Sequence, residues 1–296
     1  MLADKVMELA DARDLNVLIW DGSGPPPSGI EKATFFVPPY TPGLPRESVI
    51  RAMPALQFIQ LLTVGYDGWR DLLPRDVVLC NAAGVHGVST AELAVALLLA
   101  SSRDLDHYLD KQREKVWRPE PQTGLTERPL LLLGAGDIGQ RVAAAVRPLG
   151  ASVTMVGRHV REGVRGIDEL HELLPLHRAL VIAVPLTDET RGLIGRAELA
   201  SLPDGSIVVN VARGPILDLD ALLPELMSRR LRAGLDVTDP EPLPSDHPLW
   251  DAPNLFITPH VGGGTRDWRD RAARLIADQL ARMRSGSALA HVVMRR

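Results

Sequence analysis

Short apolar runs alternate with helical patterns along the whole chain, which is typical of an α/β protein. In the first part of the sequence, apolar runs predict strands at 16–20, 33–37, 56–62 and 77–80. Stretches rich in glycine and proline, SGPPPSG and VPPYTPGLP, separate these runs and predict turns. The first part of the chain is therefore expected to form a small parallel-sheet domain.

A long helix is predicted from Thr90 to about Lys115, with Ser89 and Thr90 as candidate N-cap residues. Its first half, AELAVALLLA, is apolar on every side. Because a helix of this kind is buried all round, we expect it between packed units, either two domains or two subunits.

A second alternation of strands and helices begins after the proline-rich segment RPEPQTGLTERP. It predicts strands at 130–133, 152–156, 179–183, 206–210, 233–236 and 255–258. Six such strands suit a doubly wound parallel sheet of the Rossmann type. A last helix, from Thr265 to about Arg284, has apolar residues at a 3.6-residue period and so one buried face.

Composition and charge narrow the class of protein. The 296 residues are 45% hydrophobic and 24% charged, which suits a globular chain of about two domains. The net charge of −4 gives no reason to expect nucleic acid or anionic lipid as a partner. Apolar runs are too short to span a membrane, and the N-terminus lacks an export signal. The single cysteine, Cys80, excludes an intrachain disulfide, and no spacing predicts a metal site, so we expect a cytoplasmic protein.

The sharpest motif is the stretch Gly134-Ala135-Gly136-Asp137-Ile138-Gly139, which follows the run LLLL and opens a helical segment. Gly134 permits a tight turn, Gly136 allows a pyrophosphate to approach the backbone, and Gly139 allows the helix and strand to pack closely. The anion would lie at the helix N-terminus. The motif predicts dinucleotide binding.

The next strand lacks the acid that hydrogen-bonds the ribose of NAD, and ends instead in Gly157-Arg158-His159. An arginine at this place offers charge-assisted hydrogen bonds to a 2′-phosphate. The sequence therefore favours NADP over NAD, the alternative being a solvated surface arginine.

Three further residues follow predicted strands in the second half of the chain: Arg213 in NVARG, Glu241 in DVTDPEP and His260 in TPHVGGG. In an open parallel sheet, ligands bind at the carboxyl ends of the strands, so the three can converge on one crevice. An arginine can bind a carboxylate, and a histidine held by a glutamate can exchange a proton with a carbonyl or alcohol.

Taken together, these segments resemble the D-isomer-specific 2-hydroxyacid dehydrogenase family, which includes glyoxylate and hydroxypyruvate reductases and phosphoglycerate dehydrogenases. The resemblance covers residues 61–265 and rests on the stretches LTVGYDG, NAAGVHGVSTAELAVALLLA, LGAGDIG, PLTDETRGLIG, LPDGSIVVNVARGPILD, AGLDVTDPEPLPSDHPLW and ITPHVGGGT. It implies a Rossmann-type domain, residues 91–265 with a dimerisation helix, inserted in a smaller flavodoxin-like substrate domain, residues 1–90 and 266–296. It also implies a homodimer.

The resemblance implies a role for each matching residue. Arg213 binds the substrate carboxylate and carbonyl, His260 is the general acid and base, and Glu241 orients that histidine. The backbone amides of Val64 and Gly65 bind the substrate carboxylate opposite Arg213. Coenzyme contacts fall on the glycine loop and on Val184, Pro185, Thr190, Val211, Ala212, Asp236 and Gly262, with Asp236 at the nicotinamide carboxamide.

The predicted activity is hydride transfer between NADPH, or NADH, and a small 2-oxo acid, of the glyoxylate or hydroxypyruvate reductase type. Two alternatives stay open: an NAD-dependent phosphoglycerate dehydrogenase, and a nucleotide-sensing corepressor on the same fold. Formate dehydrogenases carry glutamine where Glu241 stands, so that residue disfavours them. Candidate pocket walls are Trp69, His86 and Trp250, although core or interface packing is the more common role of such residues.

Overall fold

The computed structural model describes residues 2–10, 15–39, 46–69 and 71–295. The chain divides into two compact units, Met1–His86 with Gly264–Arg296, and Gly87–Gly263. The second unit is thus an insertion in the sequence of the first. The sequence had placed these boundaries at 90/91 and 265/266.

Helices and strands alternate as the α/β pattern predicts. The helices are α1 (Leu2–Leu9), α2 (Arg46–Arg51), α3 (Gly87–Ser102), α4 (Leu105–Glu114), α5 (Asp137–Val146), α6 (Leu170–Leu173), α7 (Arg196–Ser201), α8 (Leu219–Met227) and α9 (Trp268–Ser285). The strands are β1 (Phe35–Phe36), β2 (Phe58–Gln60), β3 (Val78–Cys80), β4 (Leu130–Leu133), β5 (Val153–Gly157), β6 (Val164–Gly166), β7 (Ala179–Ile182), β8 (Ile207–Asn210), β9 (Arg232–Leu235), β10 (Leu255–Ile257) and β11 (Val292–Arg295).

The first unit is built on a four-stranded sheet in the order β1-β2-β3-β11. The first three strands are parallel, and β11 pairs antiparallel with β3. Two expectations were wrong here, because the antiparallel edge strand was not predicted and the apolar run 16–20 is not a strand. Val17, Leu18 and Ile19 are each at least 40% exposed. A run of apolar residues forms a strand only where a sheet edge pairs with it, and within the described residues none does so here. Part of the predicted turn 37–45 lies outside the described residues.

The second unit is built on a seven-stranded parallel sheet in the order β10-β9-β8-β7-β4-β5-β6. The chain starts in the middle at β4, proceeds outward to β6, and returns to fill the other half from β7. This order is that of a doubly wound Rossmann-type sheet, which confirms the predicted fold class. The extra strand, β6, escaped prediction because it is three residues long and contains Arg165. The central strands β4, β7 and β8 are buried at every position, and they are apolar throughout except for Asn210 at the end of β8.

The predicted long helix is two helices, α3 and α4, separated by Arg103 and Asp104. Asp104 has a φ of 51°, in the left-handed region, and its carboxylate pairs with Arg232 at the start of β9. That ion pair fixes the break, which the apolar pattern does not show. Ser89 and Thr90 are buried inside α3 rather than capping it, because the helix begins at Gly87.

A glycine lets α3 lie directly on the sheet of the second unit. A methyl group at Gly234 of β9 would come within 2.8 Å of the Cβ atom of Leu97 in α3. The backbone of β9 and the Leu97 side chain therefore approach more closely than any residue other than glycine would permit at position 234.

We predict that Gly234→Ala lowers the free energy of unfolding by about 1–3 kcal/mol, because the added methyl overpacks the helix–sheet contact. Thermal unfolding followed by circular dichroism measures this. Gly124→Ala is the matched control, since its new methyl group would meet no atom closer than 3.5 Å. Equal melting temperatures for the two variants would contradict the prediction.

Candidate active site

The glycine loop between β4 and α5 lies where the strand order of the second unit reverses. Gly134 has a φ of 119°, and a Cβ atom there would lie 2.4 Å from the carbonyl oxygen of Ala183. A Cβ at Gly139 would lie 1.9 Å from the carbonyl oxygen of Gly134, so only glycine lets α5 pack against the loop. At Gly136, by contrast, nothing lies within 4 Å. The loop thus presents open backbone at the N-terminus of a ten-residue helix, which fits a pyrophosphate.

The other two predicted coenzyme residues of this loop are already engaged with the protein. The Asp137 carboxylate pairs with Arg141 at 2.7 Å, and Ile138 packs against the apolar core beneath α5. Both stabilise the first turn of the helix. At these two positions, therefore, the backbone rather than the side chains is available to contact a coenzyme.

The loop after β7 is closed by the hydroxyl of Thr190. That hydroxyl donates to the carbonyl oxygen of Pro185 at 2.7 Å and accepts from the backbone N–H of Thr187 at 2.8 Å. Val184 packs on the core at the start of the loop. Thr190 therefore sets the shape of the loop beside the glycine motif.

The end of β5 carries the predicted coenzyme-selecting residues. Gly157 is buried, whereas Arg158 and His159 are exposed. The Arg158 guanidinium lies 3.0 Å from a carboxylate oxygen of Glu189, in the loop after β7. Arg161 donates to the carbonyl oxygen of Ala135 at 2.9 Å, so a second guanidinium is fixed at the glycine loop.

Arg213 lies in a loop that the last residue of β8 organises. The buried Asn210 side chain donates to the Arg213 carbonyl at 3.0 Å and accepts from the backbone N–H of Ala212 at 3.0 Å. Val211 and Ala212 are themselves buried, so they offer no side chain to a coenzyme. A Cβ at Gly214 would lie 1.9 Å from the carbonyl oxygen of Thr238, which shows that this loop touches the loop after β9.

His260 and Glu241 are in direct contact. The Nδ1 atom of His260 lies 2.6 Å from Oε1 of Glu241, and both side chains are about 40% exposed, at 40% and 43%. The backbone of His260 has a φ of 51°, which is uncommon outside glycine and marks a strained position. The arrangement orients the imidazole and leaves its Nε2 edge for a ligand.

The buried carboxylate of Asp236 holds the loop that carries His260. It is 2% exposed. Its Oδ1 accepts from the Thr258 hydroxyl and the Val261 N–H, and its Oδ2 accepts from the Gly262 N–H, all within 2.9 Å. The backbone N–H of His260 donates to the carbonyl of the same aspartate at 2.8 Å. Asp236 therefore positions the histidine loop, and its predicted contact with the nicotinamide stays a prediction.

In the first unit, Val64 and Gly65 lie in the loop after β2. Among the described residues their backbone N–H groups have no hydrogen-bond acceptor, and Val64 is 37% exposed. Adjacent free amides of this kind attract anions.

The three candidate pocket walls differ in their surroundings. Trp69 is 4% exposed in the apolar core of the first unit, which is a packing role. His86 places Nε2 at 2.7 Å from the Leu62 carbonyl, with its ring beside that of Trp268. Trp250 is 50% exposed and donates to the Pro244 carbonyl. Among the described residues no cluster of histidine, cysteine and acidic side chains is arranged to hold a metal.

Sequence reasoning missed Asn210 and Glu189. It also missed Asn81, which follows β3 and whose Nδ2 donates to the Val64 carbonyl at 2.8 Å. The signal for the two asparagines was present, since each is a polar residue at the end of an otherwise apolar strand. Glu189 gave no such signal, because it is one of two adjacent acids in an exposed loop.

Several known proteins are similar to this chain in sequence and fold. Residues 95–262 match the model of the D-isomer specific 2-hydroxyacid dehydrogenase NAD binding domain. A glyoxylate reductase of Aeropyrum pernix is 33% identical over 95% of this chain and 90% of its own length. A D-3-phosphoglycerate dehydrogenase of Methanocaldococcus jannaschii is 31% identical over 74% of this chain, which spans only 43% of that relative.

A crystal structure from Xanthobacter autotrophicus has a similar fold, with a TM-score of 0.87 and 28% identity over 99% of this chain and 93% of that one. That protein is a D-isomer specific 2-hydroxyacid dehydrogenase in complex with NADPH and MES.

The doubly wound sheet, the open glycine loop and the histidine–glutamate pair define a nicotinamide-dependent α/β dehydrogenase. Within that class, the chain belongs to the D-isomer specific 2-hydroxyacid dehydrogenase family. Within the described residues, no helix combines the length and apolar character needed to cross a membrane.

Proposed function

We propose that the protein reduces a small 2-oxo acid, glyoxylate or hydroxypyruvate, to the corresponding D-2-hydroxy acid with NADPH as the preferred coenzyme. The observation that carries the proposal is the hydrogen-bonded pair of His260 and Glu241 at the carboxyl edge of a sheet whose glycine loop fits a dinucleotide. The name of the Aeropyrum relative supports the substrate class, and the NADPH complex of the Xanthobacter structure supports the coenzyme.

Substrate binding rests on charge and on free backbone donors. The Arg213 guanidinium binds the carboxylate and the carbonyl oxygen by charge-assisted hydrogen bonds. The amides of Val64 and Gly65 bind the same carboxylate. Hydrogen bonds within the first unit fix the loop that carries these amides, which lowers the ordering cost of binding.

Proton transfer rests on His260. Glu241 holds Nδ1 of the ring, so Nε2 is the atom that carries a proton to the substrate oxygen. The bound coenzyme, held at the Gly134–Gly139 loop, supplies the hydride that reduces the carbonyl carbon.

We predict that His260→Ala lowers kcat by about 10²- to 10⁴-fold, the usual contribution of a general acid. The dissociation constant of NADPH should be unchanged, and Arg213→Ala should raise KM as well as lower kcat.

Steady-state rates with glyoxylate, hydroxypyruvate, pyruvate and phosphohydroxypyruvate test the reaction and its substrate. Absence of turnover with all four would favour the corepressor alternative, and preference for phosphohydroxypyruvate with NADH would favour a phosphoglycerate dehydrogenase.

Coenzyme selection rests on Arg158, whose present partner is Glu189. An exposed pair of this kind contributes only about 0–1 kcal/mol, so a 2′-phosphate with its larger charge displaces the carboxylate. Arg161, held at the glycine loop, adds positive charge nearby.

We predict that Arg158→Ala weakens NADPH binding by roughly ten- to a hundredfold and changes NADH little, because only NADPH has the phosphate. Glu189→Gln should strengthen NADPH binding by up to about fivefold, since it removes the competing carboxylate. Fluorescence titration of both coenzymes measures these effects. Arg147→Ala, at the far end of α5, is the control for loss of a positive charge. An equal effect of Arg158→Ala on both coenzymes would exclude the selective role.

The chain is proposed to form a homodimer through α3, α4 and the proline-rich segment after them. Leu105, Leu109 and Val116 are each at least 44% exposed, and the side chain of Trp117 is 97% exposed. Tyr108 holds the segment against α4 by donating to the Glu120 carbonyl. Exposed apolar residues grouped on one ordered surface are typical of a subunit interface.

We predict a mass of twice 32.2 kDa for the wild-type chain by light scattering at micromolar concentration. Trp117→Asp should shift the protein to a monomer, because it places a charge in the apolar interface. Val160→Asp is the control, since Val160 is 72% exposed on another loop. A monomeric wild-type protein would refute the proposal.

A further inference from the structure

The loop from Thr63 to Tyr66 is tied down through three successive carbonyl groups. The Thr63 carbonyl accepts from the backbone N–H of Ala82 at 2.8 Å. The Val64 carbonyl accepts from Nδ2 of Asn81 at 2.8 Å, and the Gly65 carbonyl accepts from the Thr63 hydroxyl at 2.6 Å. Every carbonyl of the loop therefore has a defined direction.

In a trans peptide the carbonyl and the following N–H point in opposite directions. The bonds on Thr63 and Val64 therefore turn the N–H groups of Val64 and Gly65 away from the segment 81–82. The same two N–H groups lack an acceptor among the described residues. The loop is thus shaped as a pair of outward-facing donors.

Asn81 is itself fixed at four points. Its side-chain oxygen accepts from the Ala83 N–H at 3.2 Å, while its backbone N–H donates to the His291 carbonyl. Its backbone carbonyl accepts from Nε2 of Gln60 at 2.9 Å. The side chain is 7% exposed, and a flipped amide would set oxygen against the Val64 carbonyl. The amide therefore has one favourable orientation.

A second buried amide supports this arrangement from α9. Gln279, 1% exposed, donates to the side-chain oxygen of Gln60 at 2.8 Å, and its own oxygen accepts from the Ala290 N–H. Buried amides whose groups are all paired are rigid, because breaking any one bond leaves a costly unpaired group.

From this network we infer that Asn81 is a positioning residue, which orients the Val64 and Gly65 amides for a substrate carboxylate without touching the substrate. The inference rests on the proposed function, because it assumes that these amides bind the carboxylate. It adds the residue on which their orientation depends.

The test replaces Asn81 with serine. The shorter hydroxyl still accepts from the Ala83 N–H but does not reach the Val64 carbonyl, and no charge is added. We expect KM for glyoxylate to rise about tenfold, with the dissociation constant of NADPH unchanged. Leu79→Ala in β3, fully buried in the same sheet, is the control for loss of stability and should leave KM unchanged.

A direct readout follows the Gly65 amide. The sequence contains three Val–Gly pairs, at 64–65, 156–157 and 261–262, so labelling valine with carbonyl ¹³C and glycine with ¹⁵N isolates three signals. In the wild-type protein with NADPH, oxalate should shift the Gly65 signal. In Asn81→Ser, the same oxalate concentration should produce little or no shift. Asn81→Asp keeps the side-chain size and replaces the serine variant if that variant unfolds. At high salt it should likewise show little or no shift of the Gly65 signal.

The outcomes separate the two ideas. A wild-type Gly65 signal that ignores oxalate would overturn the proposed carboxylate site and, with it, the role of Asn81. A wild-type response that persists in Asn81→Ser, together with an unchanged KM, would overturn the role of Asn81 alone.

Discussion

The buried carboxylate of Asp236 is the constraint on which the candidate site of the second unit depends. A charged group this far from water is stable only when its oxygens are paired, and here the partners are one hydroxyl and two backbone N–H groups of the residues from 258 to 262. Those bonds fix the chain on both sides of His260. They also maintain the positive φ of that residue, which is unfavourable by itself. The buried Asp236 carboxylate thus sets the direction of the imidazole through the backbone of the loop that carries it.

A buried polar side chain holds the following loop after four of the strands. Gln60 ends β2, Asn81 follows β3, Asn210 ends β8 and Asp236 follows β9, and each is at most 7% exposed. Each of the four pairs with the backbone of a loop rather than with another strand. Polar side chains at these positions sacrifice some apolar burial but give the loops a single geometry. Rigid loops on parallel strands are what a site with fixed donors requires.

The sequence was most informative where burial is complete. Strands β4 and β7 are continuous apolar runs, and β8 is apolar up to its last residue, Asn210. All three were predicted within one residue at either end. The sequence was misleading where strand formation depends on pairing with a neighbouring strand. Residues 16–20 have the composition of a strand but pair with no strand among the described residues. Strand β11 forms because the edge of β3 is available for pairing. The break at Asp104 depends on an ion pair with a residue far along the chain, which no local pattern contains.

The candidate site divides in the same way. Arg213, Glu241 and His260 were recognisable because reactive side chains followed apolar strands. The residues that hold them, Asn210 and Asp236, act through hydrogen bonds to the backbone. The sequence shows a polar residue at the end of an apolar strand, but not the main-chain group that this residue binds. The Val64 and Gly65 amides are the hardest to predict from sequence, because their ability to bind an anion depends on the orientation of two peptide planes.

The residues proposed to select the coenzyme show why the identity of one residue is not enough to predict binding. An arginine after β5 predicts affinity for a 2′-phosphate, but Arg158 has a carboxylate partner already, so binding NADPH exchanges one ion pair for another. The proposed preference for NADPH therefore requires that Arg158 bind a 2′-phosphate more strongly than it binds Glu189. An exposed ion pair is weak and a phosphate carries more charge than a carboxylate, which supports that proposal. In the same proposal, the charge of Glu189 reduces the preference that the arginine alone would give.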